Sequence, residues 1–229
     1  MIVAIDGPAG SGKSTVARII ARDRGFTYLD TGAMYRALTV LALGRGADLD
    51  DEAALSGLAA ENPVTFGRGS DGVQSVAIAG RDVTRAIRTP EVDANVSRVA
   101  RLPRVREAMV ARQRELAAGS DAVAEGRDIG TVVFPEAEVK VFLTASPEAR
   151  AHRRFEQNAQ RGMAGTSDEG AVLDAILRRD EMDSTRAASP LRPAEDAVRI
   201  DSSALGVDEV TRAVLELVDA ARAARPEGE

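Results

Sequence analysis

The chain has 229 residues, 44% of them hydrophobic, and a formal net charge of -6 at pH 7. That length suits one α/β domain with insertions, the hydrophobic share suits an ordinary globular core, and the acidic balance disfavours broad nucleic-acid binding, because a phosphate backbone would be repelled. The absence of cysteine excludes disulfides and thiolate zinc sites, no apolar run reaches the roughly 18 residues that span a bilayer, and the N-terminus lacks the layout of a secretory signal, so a cytoplasmic protein is expected.

Ile2-Val3-Ala4-Ile5 reads as a short buried strand and Ser14 to Ala21 as an amphipathic helix. Between them, Gly7-Pro8-Ala9-Gly10-Ser11-Gly12-Lys13-Ser14 fits G-x-x-x-x-G-K-S/T, the phosphate-binding loop of P-loop nucleotide enzymes, in the strand–loop–helix setting it requires. Glycines let the backbone wrap a phosphate chain with its amides pointing inward, and the helix N-terminus adds its positive end. Lys13 can then reach the β and γ phosphates while the Ser14 hydroxyl ligates Mg²⁺. Lys13 and Lys140 are the two lysines against twenty-eight arginines. A G+C-rich codon bias explains that excess, and Lys13 then marks a place where a compact ammonium is needed rather than a guanidinium fork. Neither lysine lies in an Asn-Lys-x-Asp guanine-reading motif, which argues against a GTPase.

Strand and helix signals then alternate, with continuously apolar strands, the pattern of a parallel sheet covered on both faces. Thr27-Tyr28-Leu29-Asp30 reads as a strand, Thr31 as the N-cap of a helix over Gly32 to Leu43, and Asp51 to Glu61 as a polar helix. Residues 63 to 88 break the rhythm. Val64-Thr65-Phe66, a Gly-rich turn from Gly67 to Gly72, and Val73 to Ile78 predict a hairpin, with a third short strand over Arg81 to Thr84. Helices are expected over 90–101 and 103–118, with Pro103 in a first-turn position. Ala122-Val123-Ala124, ending at Glu125-Gly126, Val139 to Leu143 and Ala197 to Ile200 complete five strands. Helices follow from about Glu148, over Glu169 to Arg186 and over Val207 to Ala224, with a mobile loop expected at 162–168 and a disordered tail over the last five residues. The expected fold is thus α/β: a three-layer P-loop fold with a five-stranded parallel sheet, a small antiparallel β insertion and a short lid.

Ligands of open α/β sheets sit outside the carboxyl ends of the strands. Thr31 and Arg36 follow the second strand, so they fall near the mouth of the glycine loop, where Arg36 either makes a bidentate contact to a second phosphate group or is a surface arginine on a capped helix. Glu125-Gly126-Arg127-Asp128-Ile129-Gly130-Thr131 follows the third strand and reads as a ligand-facing turn, in which Glu125 can order a Mg²⁺-bound water. Arg179, Asp183 and Arg186, spaced i, i+4, i+7, share one predicted helix face. Spacing alone favours a solvated arginine–aspartate ladder there. Arg150, Arg153, Arg154 and Arg161 crowd a helix that runs into the Gly-containing loop, as a phosphate-clamping lid would need. His152, the one histidine, is read as a helix-surface residue, since phosphoryl transfer does not require it.

With these stretches in hand the chain resembles the bacterial cytidylate kinases. Matching segments run from residue 2 to about 205 and include Gly7 to Thr15, Leu29 to Arg36, Ile87 to Ser97, Pro103 to Ala108, Glu125 to Pro135, Ala149 to Arg154 and Arg179 to Leu191. The run Gly126-Arg127-Asp128-Ile129-Gly130-Thr131-Val132-Val133-Phe134-Pro135 is far more specific than a phosphate loop, and the insertion at 63–88 is also a feature of that family. One departure is Glu125, where other members can carry Asp; the charge is kept.

The resemblance implies one P-loop kinase domain over 1–229, with a nucleoside-monophosphate-binding insertion at 62–100 and a lid at 149–168. Gly7, Pro8, Ala9, Gly10, Ser11, Gly12, Lys13, Ser14 and Thr15 would bind the ATP phosphates, and Arg150 and Arg154 would belong to the lid over ATP. Arg36, Arg127 and Arg186 would hold the CMP phosphate, Ser97, Arg106 and Asp128 would read the cytosine edge, and Arg179 and Asp183 would face the ribose; Thr31 joins the same CMP site. Lys13, Arg127 and Arg186 would carry catalysis, with Mg²⁺ at Ser14. The expected reaction is ATP + CMP to ADP + CDP, with dCMP a second acceptor, in a chain that binds neither nucleic acid nor membrane and is monomeric. Another small P-loop kinase with a different acceptor, or a nucleotide-dependent switch, is the competing reading.

Overall fold

A computed structural model of the chain describes residues 1–68, 74–160 and 168–224. Ile2–Asp6 forms strand β1 and Lys13–Arg24 helix α1. Gly25 ends α1 in the left-handed conformation (φ 69°), as a C-terminal glycine commonly does. Strand β2 (Thr27–Asp30) runs straight into helix α2 (Thr31–Gly44). No residue separates them, so the cap falls to the last strand residue: Asp30 Oδ1 accepts from Ala33 N at 2.9 Å. Asp30, rather than Thr31, is therefore the N-cap, and Thr31 is the buried first residue of the helix.

Helix α3 (Glu52–Glu61), strands β3 (Thr65–Arg68), β4 (Gln74–Ile78) and β5 (Arg81–Asp82), a 3-10 turn at Ala86–Arg88, and helices α4 (Pro90–Ala100) and α5 (Pro103–Ala117) follow. They belong, with α2, to a compact unit made of Asp30–Ala118 and Arg186–Ala188. Inside it α2 packs against α3, α4, α5 and β4, around the buried Met34, Leu38, Leu55, Ile87, Val99 and Val105. β3, β4 and β5 make a separate antiparallel sheet, with Phe66 opposite Val76 and Ile78 opposite Arg81. Ala79 (φ 52°) and Gly80 (φ 69°) form its two-residue turn, the positive-φ pair that a tight hairpin demands. The third strand stops at Asp82, shorter than the expected Arg81 to Thr84, because Thr84 turns its hydroxyl onto Val76 N at 2.9 Å instead of extending the ladder. Of the expected Gly-rich turn, residues 69–73 lie outside the described residues.

The other unit comprises Met1–Leu29, Gly119–Thr185 and the chain from Ser189. It adds strand β6 (Ala122–Gly126), a π-helical turn at Ile129–Val133, strand β7 (Val139–Thr144), helices α6 (Pro147–Gln160) and α7 (Glu169–Thr185), strand β8 (Val198–Asp201) and helix α8 (Val207–Ala223). The five-stranded sheet has the order β2–β6–β1–β7–β8, with parallel pairing of β1 to β6 and β7 and of β7 to β8. Val3 and Ile5 alternate onto the face shared with Val16 and Ile20 of α1 and with Val214 and Val218 of α8, all buried in one core. The register sets Asp6 beside Gly126 and Phe142, so the strand ends that carry the glycine loop and the Arg127 turn are level.

Helix α7 ends at Thr185, so Arg186 does not extend the face of Arg179 and Asp183 as expected. The Asp183 carbonyl, which a continuing helix would give to residue 187, instead accepts from Leu191 N at 2.8 Å. The expected mobile loop lies, up to residue 167, outside the described residues, as do Arg161 and the five C-terminal residues. Among the described residues no helix is long and apolar enough to cross a membrane.

Candidate active site

The glycine loop owes its path to main-chain clearance. At Gly7 (φ 148°) a Cβ would stand 2.0 Å from the Leu143 carbonyl oxygen, and at Gly10 (φ 79°) it would stand 3.0 Å from Arg150 Cβ. Gly12 (φ 93°) precedes α1 and has no side chain to occupy the helix N-terminus, which leaves the positive end of the helix for an anion.

Lys13 is buried, and its ammonium donates to the Pro8 carbonyl at 2.7 Å. Burial, with the Arg127 guanidinium next in weight, pushes its pKa down to about 7. Glu125 and Asp6 act on it in the opposite sense but do not offset burial, and a phosphate chain would add the negative charge that keeps the ammonium protonated. Ser14 Oγ donates to Glu125 Oε2 at 2.8 Å, and the Tyr28 hydroxyl bonds the other carboxylate oxygen. Among the described residues no three His, Cys, Asp or Glu cluster as a metal cage. A hydroxyl beside one buried carboxylate fits Mg²⁺, a hard cation that keeps waters and takes phosphate oxygens.

After β6, Arg127 Nε donates to Asp183 Oδ2 at 3.0 Å, and Arg179 Nε stands 3.9 Å from the same oxygen. Asp128 is buried beside them in sequence. Asp6, also buried, receives the Ile129 and Gly130 amides at 2.8 and 2.7 Å. From α6, Arg150 bonds Ala145 O at 3.0 Å and Ala9 O in the glycine loop at 3.2 Å, and pairs with Asp180 at 2.6 Å. Arg153 reaches Ser202, whose hydroxyl lies 3.1 Å from Ser11 O. Arg154 is half-buried on the same helix, while His152 is exposed and bonded to Glu169 at 3.1 Å.

The remaining expected residues belong to the other unit. Arg36 is buried, donates to Ile87 O at 2.9 Å and pairs with Asp93. Arg106 donates to Ala100 O at 3.0 Å and lies 5.3 Å over the Tyr35 ring, a cation–π distance. Thr31 is buried at the start of α2, Ser97 is half-buried on α4, and Arg186 is half-buried just past α7.

A family model for cytidylate kinase matches residues 3–220. The chain belongs to the cytidylate kinase family. Curated cytidylate kinases of Bacillus licheniformis and Pelotomaculum thermopropionicum are each 51% identical to it, over 219 and 220 residues, with 96% of both chains covered in each case. A solved structure of an uncharacterized protein from Eubacterium ventriosum aligns with a TM-score of 0.52 at 12% identity, over 96% of this chain and 99% of that one, a likeness of fold alone. As a cytidylate kinase family member, the chain is a nucleotide-binding phosphotransferase that phosphorylates nucleoside monophosphates. Four residues that bond to the expected site residues or their immediate neighbours escaped the sequence reading: Asp6, Tyr28, Asp180 and Ser202. Asp6 carried a signal, since a carboxylate ending an apolar strand beside a glycine loop is an unusual thing to bury; the others are named only by contacts far along the chain.

Proposed function

We propose that this protein transfers the γ-phosphoryl group of ATP to CMP, with dCMP as a second acceptor, releasing ADP and CDP or dCDP. The buried Lys13 ammonium, set in a glycine loop under the influence of Arg127 and Arg179, carries the reading. A phosphate oxygen of CMP forms the new bond to phosphorus as the bond to the ADP oxygen breaks. That oxygen is already anionic near neutral pH, so no strong general base is needed, and the barrier falls by alignment and charge neutralisation. Lys13, Arg127 and Arg186 spread positive charge over the transferring group, Gly7 to Thr15 cradle the donor, and Arg36 orients the acceptor phosphate. Mg²⁺, held through Ser14 with Glu125 ordering a water, would supply further neutralisation of the phosphate oxygens. Residues 62–100 serve as the monophosphate-binding segment and 149–168, with Arg150 and Arg154, as the lid that excludes water. The enzyme works as a cytoplasmic monomer.

Selection of cytosine rests on Asp128, supported by Ser97 and Arg106, while Thr31, Arg179 and Asp183 line the nucleotide. A carboxylate only accepts hydrogen bonds, so it pairs with the exocyclic amine of cytosine and meets a second acceptor in uracil. An unpaired buried polar group costs about 1–3 kcal/mol, so Asp128→Ala is expected to lose roughly tenfold or more in CMP-over-UMP preference; an unchanged preference removes Asp128 from the role. The reading itself is tested by ADP release with CMP, dCMP, UMP and AMP as acceptors. CMP and dCMP are expected to lead; ATP binding without transfer to any of them overturns it.

A further inference from the structure

The turn that bears Arg127 and Asp128 is held by a side chain from a different strand. Ile129 and Gly130 open the π-helical turn, which closes as Val132 and Val133 donate to the Asp128 carbonyl at 2.9 and 3.2 Å. The turn's first two amides need acceptors, and Asp128, its N-cap residue, makes no capping bond with its own carboxylate. Asp6 supplies both: Oδ1 takes the Ile129 amide at 2.8 Å and Oδ2 the Gly130 amide at 2.7 Å. A carboxylate at the positive end of a turn is favourable electrostatically as well as by hydrogen bonding.

Asp6 is only 4% exposed, and burial pushes its carboxyl up to about 6 against the pull of the two amides. Asp128 and Lys13 are the charged groups that act on it. It also immediately precedes Gly7, the first residue of the glycine loop. One carboxylate therefore ties the start of the donor loop to the backbone just after Asp128. Nothing in the phosphoryl transfer described above uses it.

We propose that Asp6 is a positioning residue for acceptor selection: by gripping the Ile129 and Gly130 amides it fixes where Asp128 presents its carboxylate, and so sets the preference for a cytosine over a uracil mononucleotide. The proposal rests on the reading of Asp128 as the cytosine-facing group. Fidelity in reading a base edge requires its acceptor to be held to a fraction of an ångström, and a main-chain grip on the next two residues does that without crowding the ligand.

Asp6→Asn is the test. The amide side chain has the same shape but replaces one acceptor oxygen with a donor, which then faces a backbone N–H. The turn must shift to relieve the mismatch. The readout is the ratio of kcat/KM for CMP to kcat/KM for UMP, which is independent of the fraction of enzyme that is folded. The ratio is expected to fall on the order of tenfold. A residue that only stabilised the fold would lower the melting temperature and kcat and leave the ratio where it was, and that result overturns the proposal. If Asp6→Asn does not yield soluble protein, Asp6→Glu decides: it keeps the charge and both acceptors but displaces them by one methylene, so a lowered ratio supports the proposal and an unchanged one overturns it. Should the unaltered enzyme phosphorylate CMP and UMP equally well, the reading of Asp128 fails first, and this proposal with it.

Discussion

In the unit that carries the glycine loop, position is enforced by main chain and by buried carboxylates. Gly7 lies against the Leu143 carbonyl, Asp6 grips two backbone amides, and Asp6, Lys13, Glu125, Asp128 and Asp183 are each no more than 6% exposed. In the other unit Arg36, Arg98 and Arg101 are held by ion pairs of graded exposure. Arg36 and Asp93 are 9% and 29% exposed at their side chains, whereas Arg98, Arg101 and Asp50 are 40%, 51% and 46% exposed. The contrast teaches where rigidity resides. A backbone clash or a buried charge has no cheap escape, while a solvated pair can trade its partner for water and loses little.

The sharpest way to break that contrast is Gly7→Ala. The added Cβ would fall 2.0 Å from a carbonyl oxygen, at a φ of 148° that L-residues avoid. The Cβ is fixed rigidly to the loop backbone and the oxygen belongs to the main chain of β7, so the end of that strand or the loop must move. The expected loss is about 4 kcal/mol or more of stability, read as a large drop in melting temperature together with loss of nucleotide binding. A variant that melts within a few degrees of the original and still binds ATP would mean that the loop is more pliant than its geometry.

Lys13→Met separates stability from function at the same loop. Turnover is expected to fall on the order of 10³-fold, as when a preorganised charge on the transition state is removed. The fold should survive, because burial works against this ammonium. Its folded pKa, about 7, lies below the ordinary 10.5, so the unfolded chain binds more protons across that window and the stability of the nucleotide-free enzyme rises with pH from about 7 to 10.5. Asp6 works the opposite window: its carboxyl is raised from 3.8 to about 6, the folded state binds more protons there, and stability falls as pH rises through that range. Lys13→Met should therefore flatten the alkaline slope of a melting-temperature profile and leave the acid slope in place. Loss of both slopes, or of neither, would show that Lys13 is not the buried charge responsible.

The same contrast explains what was legible in the sequence. The glycine loop, the five strands of the parallel sheet and the antiparallel insertion follow from local pattern, and they formed within a residue or two of where pattern placed them. Boundaries that depend on competing partners did not. Spacing carried the helix through Arg186, but Leu191 takes the Asp183 carbonyl and α7 stops at Thr185. A threonine looked like the cap of α2, but an aspartate one residue earlier is the stronger acceptor and was already at the strand end. Least legible were bonds across long separations: Asp6 with Ile129, 123 residues on, and Arg150 with Asp180. No periodicity encodes these, since each depends on two elements arriving at one place.

Asp50→Asn probes the solvated end of the comparison and should have the smallest effect. Its carboxylate pairs with Arg98 at 2.6 Å and Arg101 at 2.7 Å, which span the start and end of one turn around the close of α4. Those contacts, led by the hydrogen bond from Arg98, hold its pKa below the ordinary carboxylate value. The contribution is accordingly present above that ordinary value and lost as pH falls through the depressed one. Yet all three side chains stand in water, where each guanidinium is already well solvated and the pairing must repay the ordering of long side chains. The variant is expected to melt marginally lower at low ionic strength, with the difference closing as salt is added over a Debye length shorter than about 10 Å. Turnover should be unaltered, because no residue proposed to touch either nucleotide leans on Asp50. A large, salt-insensitive loss would mean that this cluster is held as firmly as the buried carboxylates beside the glycine loop, and the division between the two units would have to be redrawn.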